Sequence, residues 1–345
     1  MARALICGAT AAPAKTVVEM QVPLSSEVST YIPISRIEDL SDAVYGAGLE
    51  ATQMATGHLS GGLAFAEKDD VICTSGLING RVALFGPLSQ KNITIGIGLT
   101  LGAGTRHWLN DVETGNVGVF LPGDEHDSLY TPESLYAAVT LSAEKLEEEA
   151  ALEGLVLNRR VLGGTGIHHR NLAPDALARL RMSFQRIHNS CMMPGDADVV
   201  RALLAAVISH LARPPHVPNG RTHPTCHGKI VKRAQAYIQE HLSEPISVDE
   251  IAAAAFASRR TLFRAFADIL DDTPRAYVRR LRLHRIRHDL ADDAERACTI
   301  ALIANQWGIS DLGRMSGWYR ELFSERPSDT LTHSRTSPSR LARAA

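Results

Sequence analysis

The sequence has few features of a secreted or membrane-bound protein. Its five cysteines are odd in number, widely scattered and without a CxxC pair, which favours reduced thiols. No hydrophobic run approaches the roughly 20 residues of a membrane span, and the apolar stretch at 4–7 is far too short for a signal peptide. We therefore expect a cytoplasmic protein that makes no contact with membranes.

Motifs for catalysis are also scarce. The glycine-rich stretch 163–166 has neither GxGxxG nor Walker spacing, and no Ser-His-Asp set can be assembled. Segment 122–126 resembles part of a cupin metal motif, with His107 and His58 as further candidates, but the usual closely spaced histidine pair is absent. We interpret 122–126 as a turn with surface polar side chains, and we predict no catalytic residue, no metal and no cofactor.

The chain has no large excess of one charge, with 36 Lys and Arg against 38 Asp and Glu. The charges are unevenly placed, since residues 228–345 hold 19 basic and 15 acidic side chains and residues 1–227 hold 17 and 23. This basic excess is too modest to predict DNA binding by itself. It agrees with a partner that carries phosphates.

Two copies of one pattern lie about fifty residues apart near the C-terminus. The first consists of 246–252 and 258–266, and the second of 299–304 and 307–323. In each copy a short helix is followed by a tight turn and a second helix opened by a serine. This is the pattern of a helix-turn-helix, whose second helix lies in the major groove of DNA. Two copies allow one chain to read two stretches of groove.

The start of each second helix carries the candidate DNA contacts. Ser247 and Glu250 form a predicted capping box, and Ser258 and Ser310 are predicted helix caps. Arginine can bind guanine through two hydrogen bonds, and threonine can contact a base edge. A solvated basic face is the alternative, which the duplication and the caps disfavour. The predicted base-reading residues are Arg259, Arg260, Thr261, Arg264, Asp311, Leu312, Gly313 and Arg314, and the predicted phosphate contacts are Ser258, Ser310, Ser316 and Arg320.

A single helix is predicted between the two copies. It follows Pro274, runs over 275–290 and spans roughly 25 Å at about 1.5 Å per residue. Six arginines lie among its apolar positions. They either meet DNA phosphates or pair with the nearby acids Asp289, Asp292, Asp293 and Glu295, and the sequence does not decide between these alternatives.

Residues 228–332 resemble the DNA-binding domain of AraC/XylS-type transcription regulators. The resemblance rests on Ile251-Ala252, Ser258 to Leu262, Pro274, Arg280 to Leu283, Ile303-Ala304, Trp307-Gly308 and Tyr319 to Ser328. It implies two helix-turn-helix subdomains, a linking helix and promoter-specific activation. The chain departs from the family pattern at Phe256, Ile309, Asp271 and Ser324, which puts turn geometry in question.

The hydrophobic pattern of the N-terminal part predicts strands followed by helices. Short apolar runs broken by glycine-rich turns between about 61 and 141 favour a small barrel or sandwich. The resemblance implies an N-terminal cupin-like β-barrel. Two helices over about 174–212 carry apolar stripes that pack on the barrel, on each other or on a second subunit. The predicted layout is an N-terminal domain at 1–212 with its barrel at about 55–141, a linker at 213–227, an all-α double helix-turn-helix domain at 228–332 and a disordered tail at 333–345.

The predicted function is sequence-specific transcription regulation, by an activator that responds to a small-molecule effector. A repressor, or a regulator that needs no effector, remains an alternative. The alternative of another class is a metal-dependent cupin enzyme with an accessory DNA-binding domain. The predicted partners are double-stranded promoter DNA, RNA polymerase, a small-molecule effector and a second copy of the chain. The predicted effector pocket contains Arg106, His107, Trp108 and Phe120.

Overall fold

The computed structural model describes residues 28–157, 162, 164–168, 170–192, 197–213, 225–292 and 299–336. The N-terminal part of these ranges is mainly strand, and the C-terminal part is helical. Most of the predicted linker (214–224) and part of the predicted tail (337–345) lie outside the described residues.

Two antiparallel sheets form the N-terminal domain. One sheet has the order β1-β3-β4-β11-β6-β9-β12 and the other β2-β5-β10-β7-β8. Among the described residues no strand pairing joins the two sheets, so the predicted cupin-like barrel is not found as a closed barrel. The strands are β1 Val28–Ile34, β2 Glu50–Gln53, β3 Ser60–Lys68, β4 Val71–Asn79, β5 Val82–Pro87, β6 Ile93–Thr100, β7 Arg106–His107, β8 Asn110–Asp111, β9 Val117–Phe120, β10 Glu125–Tyr130, β11 Ser134–Leu141 and β12 Gly166–Ile167.

The strand region begins before the predicted boundary near residue 55. Strands β1 and β2 precede it, and a 3-10 helix over Ile37–Asp42 lies between them. The strand β10 covers part of the segment that the sequence suggested was a surface turn. Its sequence, EHDSLY, is polar although His126 and Ser128 are buried, so the hydrophobic pattern did not show it.

The seven-stranded sheet is buried on both faces, which explains why every residue of β11 is buried. One face packs on the five-stranded sheet through side chains such as Leu63, Phe65 and Leu84. The other face packs on helices α2 and α3 through residues that include Phe184 and Val207. The apolar stripes of these helices therefore cover the sheet of their own chain. The helices of this domain with described bounds are α1 Ala143–Leu152, α2 Pro174–Ser190 and α3 Ala197–Leu211.

The C-terminal domain contains two helix-turn-helix units, each with its own core. Phe266 is fully buried in the first core and Tyr319 in the second. A long helix, α7, joins the units. The last helix runs to Thr336, past the predicted start of the tail at 333. The helices are α4 Cys226–Glu240, α5 Val248–Ala254, α6 Arg259–Leu270, α7 Pro274–Asp292, α8 Ile300–Gln306, α9 Leu312–Phe323 and α10 Pro327–Thr336.

The unusual turn residues of this domain take left-handed backbone conformations. Phe256, Asp271 and Ser324 have φ angles of 52°, 50° and 60°. Left-handed φ disfavours most side chains other than glycine and asparagine or aspartate. The turns are therefore preserved with non-glycine residues, at a cost that is greatest for the bulky Phe256.

Candidate nucleic-acid interface and cavity

Helix α6 presents three arginines on its free face. Ser258 caps it by accepting a hydrogen bond from the Thr261 N–H at 3.2 Å. Arg259, Arg260 and Arg264 are exposed, whereas the opposite face of the helix is buried in the core of the first unit. The Thr261 hydroxyl lies 2.8 Å from the Ser258 hydroxyl and is half-buried.

Helix α9 presents its first turn in the same way, but its cap differs from the prediction. Asp311, and not Ser310, accepts the hydrogen bond from the Arg314 N–H at 3.0 Å. The Arg314 side chain also lies 3.3 Å from this carboxylate. Ser and Asp are both good caps, so two adjacent candidates could not be separated from the sequence. Leu312, Gly313, Arg314, Ser316 and Arg320 are all exposed.

Most arginines of α7 already have partners within the protein. Arg280 pairs with Asp272, Arg285 with Glu50, and Arg287 with both Glu38 and Glu325. These are not the acids that the sequence suggested. Asp289 instead accepts a hydrogen bond from the Trp307 indole at 2.6 Å, and Asp293 and Glu295 lie outside the described residues.

A groove of about 410 Å³ runs between the two helix-turn-helix units. Arg275, Arg279 and Arg282 line it, together with Trp318 and the start of α9. Arg282 donates to backbone carbonyls, including that of Leu242 at 3.0 Å. Arg275 and Arg279 are exposed, and neither has an acidic partner among the ion pairs of the described residues. Arg279 stacks over the Trp318 ring at 4.7 Å.

A second feature is a cavity of about 50 Å³ between the two sheets of the N-terminal domain. Of the four residues predicted for an effector pocket, His107 and Phe120 line this cavity. Arg106 and Trp108 do not: Arg106 extends away from it, toward α6, and the Trp108 ring packs outside it against Phe120. His126 is a lining residue that the sequence interpretation placed on the surface.

The cavity is uncharged near neutral pH. None of the described residues that line it is Asp, Glu, Lys or Arg. Burial lowers the pKa of His107 to about 4, and burial together with the charge of His107 lowers the pKa of His126 well below its ordinary value. Burial raises the pKa of both Tyr130 and Tyr136 above its ordinary value. The cavity is therefore apolar with a few neutral hydrogen-bonding groups.

Two histidines meet in this cavity, with ring centroids 5.1 Å apart, and the Nδ1 atoms of His107 and His126 lack a hydrogen-bond partner. His58 is exposed, outside the cavity. In the part of the chain that is described, no group of three or more His, Cys, Asp or Glu side chains converges as a metal site would require. The described helices also include none long and apolar enough to span a membrane.

Two capped helix-turn-helix units joined by a helix define a DNA-binding domain. A family profile described as "Helix-turn-helix domain" matches residues 251–333. The XylDLEGF operon transcriptional activator of Pseudomonas putida is 37% identical over 100 residues, which are 29% of this chain and 31% of that protein. The probable thc operon regulatory protein of Rhodococcus erythropolis is 31% identical over 181 residues, which are 51% of this chain and 48% of that protein.

Among solved structures, a probable AraC family transcriptional regulator from Rhodopseudomonas palustris CGA009 is 32% identical, with a TM-score of 0.30. The match covers 31% of this chain and 97% of that one. The C-terminal domain of this chain is a helix-turn-helix domain of the AraC/XylS type, as the sequence indicated. The chain spans 31% and 48% of the length of these two curated relatives.

Proposed function

We propose that the chain is a sequence-specific transcription regulator that binds double-stranded DNA through α6 and α9. The observation that carries this proposal is the exposure of the first turn of both helices. Among the described residues, the hydrogen bonds and ion pairs from the N-terminal domain reach the C-terminal ends of these helices: the Gly57 N–H donates to the Glu321 carbonyl at 3.3 Å, Arg81 pairs with Asp271 at 3.1 Å, and Gln53 and Arg106 donate to carbonyls of α9 and α6. Both reading surfaces are thus free to enter a major groove.

Base reading is assigned to exposed residues near the N-terminal ends of the two helices. In α6 these are Arg259, Arg260 and Arg264, with Thr261 in a lesser role because Ser258 engages its hydroxyl. In α9 they are Leu312, Gly313 and Arg314, while Asp311 acts as the cap. Ser258, Ser310, Ser316 and Arg320 remain proposed phosphate contacts.

We add Arg275 and Arg279 to the phosphate contacts. They line the groove between the two units, so they face the stretch of duplex that connects the two major-groove segments. Their guanidinium groups have no acidic partner in the described ion pairs, whereas those of Arg280, Arg285 and Arg287 do. Phosphate neutralisation would supply much of the affinity and make it sensitive to salt.

The cavity supports the proposal of a small-molecule effector. A charged ligand would be buried without a partner in this apolar, neutral lining, which is costly. We therefore propose an uncharged effector that is mostly apolar and forms a hydrogen bond with His107 or His126. The two sheets around it would act as a cupin-like sensor within a domain at 1–212, and a linker at 213–227 would connect it to the DNA-binding domain.

Activation is the proposed outcome because the matched Pseudomonas relative is named a transcriptional activator. Recruitment of RNA polymerase and assembly as a homodimer are further parts of the proposal, as is a cytoplasmic location. The test is selection of genomic fragments by the purified full-length protein near physiological salt. Two short sequence blocks about one helical turn apart, 10–10.5 base pairs, would support the proposal. Binding that is independent of sequence and abolished by salt would contradict it.

A further inference from the structure

A tight hairpin, residues 106–111, lies between the cavity and helix α6. It consists of β7 and β8 joined by a two-residue turn, Trp108–Leu109. Strand β7 pairs with β10, where His107 lies opposite Ser128. The hairpin therefore belongs to the cavity wall on one side and to the domain interface on the other.

On the inner side, His107 lines the cavity. Its ring lies 6.2 Å from the Phe120 ring and 5.9 Å from the Tyr130 ring, measured between centroids. Because the cavity measures about 50 Å³, it is smaller than the roughly 150 Å³ of an engineered protein cavity that binds benzene. A ring-sized ligand must therefore displace side chains that line the cavity. His107 is one of these lining residues.

On the outer side, Arg106 holds the end of helix α6. Its guanidinium donates hydrogen bonds to the carbonyls of Asp268, at 3.1 Å, and of Ile269. Carbonyls in the last turn of a helix lack partners within the helix, so an outside donor satisfies them. The Arg106 Nε also donates to Asp111 across the hairpin at 2.7 Å, which orients the guanidinium.

The turn between these two sides is strained. Trp108 and Leu109 both have positive φ, 47° and 64°. Two-residue hairpin turns with this geometry favour Asn-Gly, and bulky side chains persist there only when their surroundings hold them. The Trp108 N–H donates to the Asp127 carbonyl at 2.8 Å. Leu109 is buried in the same apolar cluster as Phe266 of the DNA-binding domain.

We infer that hairpin 106–111 transmits occupancy of the cavity to the first DNA-reading helix. Displacement of His107 shifts β7, withdraws Arg106 from the carbonyls at the end of α6 and relaxes the strained turn. Release of these contacts changes how firmly α6 is held against the N-terminal domain, so a ligand that prefers the displaced state shifts the population of the two arrangements. This inference rests on the proposed effector cavity, and its test is independent of DNA binding.

The test uses hydrogen exchange of the full-length protein, read at residues 266–271. Arg106→Ala removes hydrogen bonds from a charged donor, and we expect exchange there to accelerate about tenfold. Arg81→Ala is the matched control, because Arg81 contacts the same end of α6 through Asp271 but lies outside the hairpin. The control should change the exchange rate by less than about threefold, because the Asp271 side of this ion pair is 83% exposed.

A cavity-filling substitution stands in for the unidentified ligand. Ala138 lines the cavity and is buried, so Ala138→Leu should occupy the space and accelerate exchange at 266–271. In the Arg106→Ala background the same substitution should have no further effect. If Ala138→Leu does not fold, Ala138→Val serves as the smaller filler.

Two results would overturn the inference. One is an Arg106→Ala protein whose exchange at 266–271 matches that of Arg81→Ala. The other is a filler whose effect is the same with and without Arg106. Neither depends on DNA, so failure of fragment selection would count against the proposed function and leave the coupling standing.

Discussion

Arg287 connects three parts of the protein, and its removal provides a sharp test of the described domain arrangement. It lies on α7 and is 4% exposed. Its Nε is 2.6 Å from Glu38 Oε1 in the N-terminal domain, and its Nη1 pairs with Glu325 in the second helix-turn-helix unit. The guanidinium also stacks over the Phe323 ring at 4.8 Å. Burial by itself lowers the pKa of Arg287. The hydrogen bond and the charge of Glu38 raise this pKa by more than burial lowers it, so the net shift is upward.

We predict that Arg287→Ala lowers the free energy of unfolding by about 3 kcal/mol. Removing one partner of a buried ion pair costs about 3–5 kcal/mol, because the other charge is left without compensation. The lower end applies here, since the Glu38 side chain is 44% exposed and can be rehydrated. At a urea m-value of about 3 kcal/mol/M the midpoint would fall by about 1 M.

The measurement is urea unfolding of the full-length protein, with Arg285→Ala as the matched control. Arg285 lies on the same helix and pairs with Glu50 at 3.0 Å, but both side chains are partly exposed, at 36% and 46%. Exposed pairs contribute about 0–1 kcal/mol. If the two variants differ by less than about 1 kcal/mol, Arg287 does not join the domains as described.

Three further predictions concern the interface and the helix-turn-helix units. His284 accepts a hydrogen bond from the Gln53 N–H at 2.9 Å, and burial lowers its pKa to about 3. The neutral, buried imidazole therefore contributes fully to stability above about pH 6.5. This contribution falls by about 1.4 kcal/mol per pH unit as the pH falls toward 3. Between pH 7.5 and pH 5, the free energy of urea unfolding should fall by about 2 kcal/mol more for wild type than for His284→Gln. Equal losses would show that His284 is not buried in the neutral form. Ser258→Ala should lower the unfolding free energy by about 1 kcal/mol through loss of the α6 cap, and an unchanged midpoint would count against that cap. Phe256→Gly should raise the free energy of unfolding by about 1 kcal/mol in the same assay, because the Phe256 side chain is 82% exposed and its φ is left-handed. A lower free energy of unfolding would show that the backbone at Phe256 is not strained.

The helix-turn-helix domain could be predicted from local signals. The capping box at Ser247 and Glu250 is present, and the cap at Ser258 is where the sequence placed it. Caps, helical spacing and turn residues are fixed by a few neighbouring residues. The cap of α9 could not be assigned, because Ser310 and Asp311 are adjacent and either can accept the hydrogen bond.

The N-terminal sheets and the cavity were harder to predict because their residues meet across long sequence distances. The polar strand β10 turns His126 inward, where it meets His107 from a different strand. The orientation of the Arg106 side chain could not be predicted from the sequence either. Neighbouring residues on a strand face opposite sides, and the carbonyls that Arg106 contacts lie more than 160 residues away in the sequence. The partners of Arg285 and Arg287, Glu50 and Glu38, are also more than 200 residues away in the sequence.

The most direct test of the central proposal is fragment selection with three proteins: wild type, Arg260→Ala and Arg314→Ala. Both substituted arginines are exposed, in the first turns of α6 and α9. We predict that wild type selects two sequence blocks about ten base pairs apart. Each variant should relax one position in a different block, at a cost of about 1–3 kcal/mol. Equal weakening on all sequences by both variants, or loss of the same block by both, would contradict two-groove reading by α6 and α9.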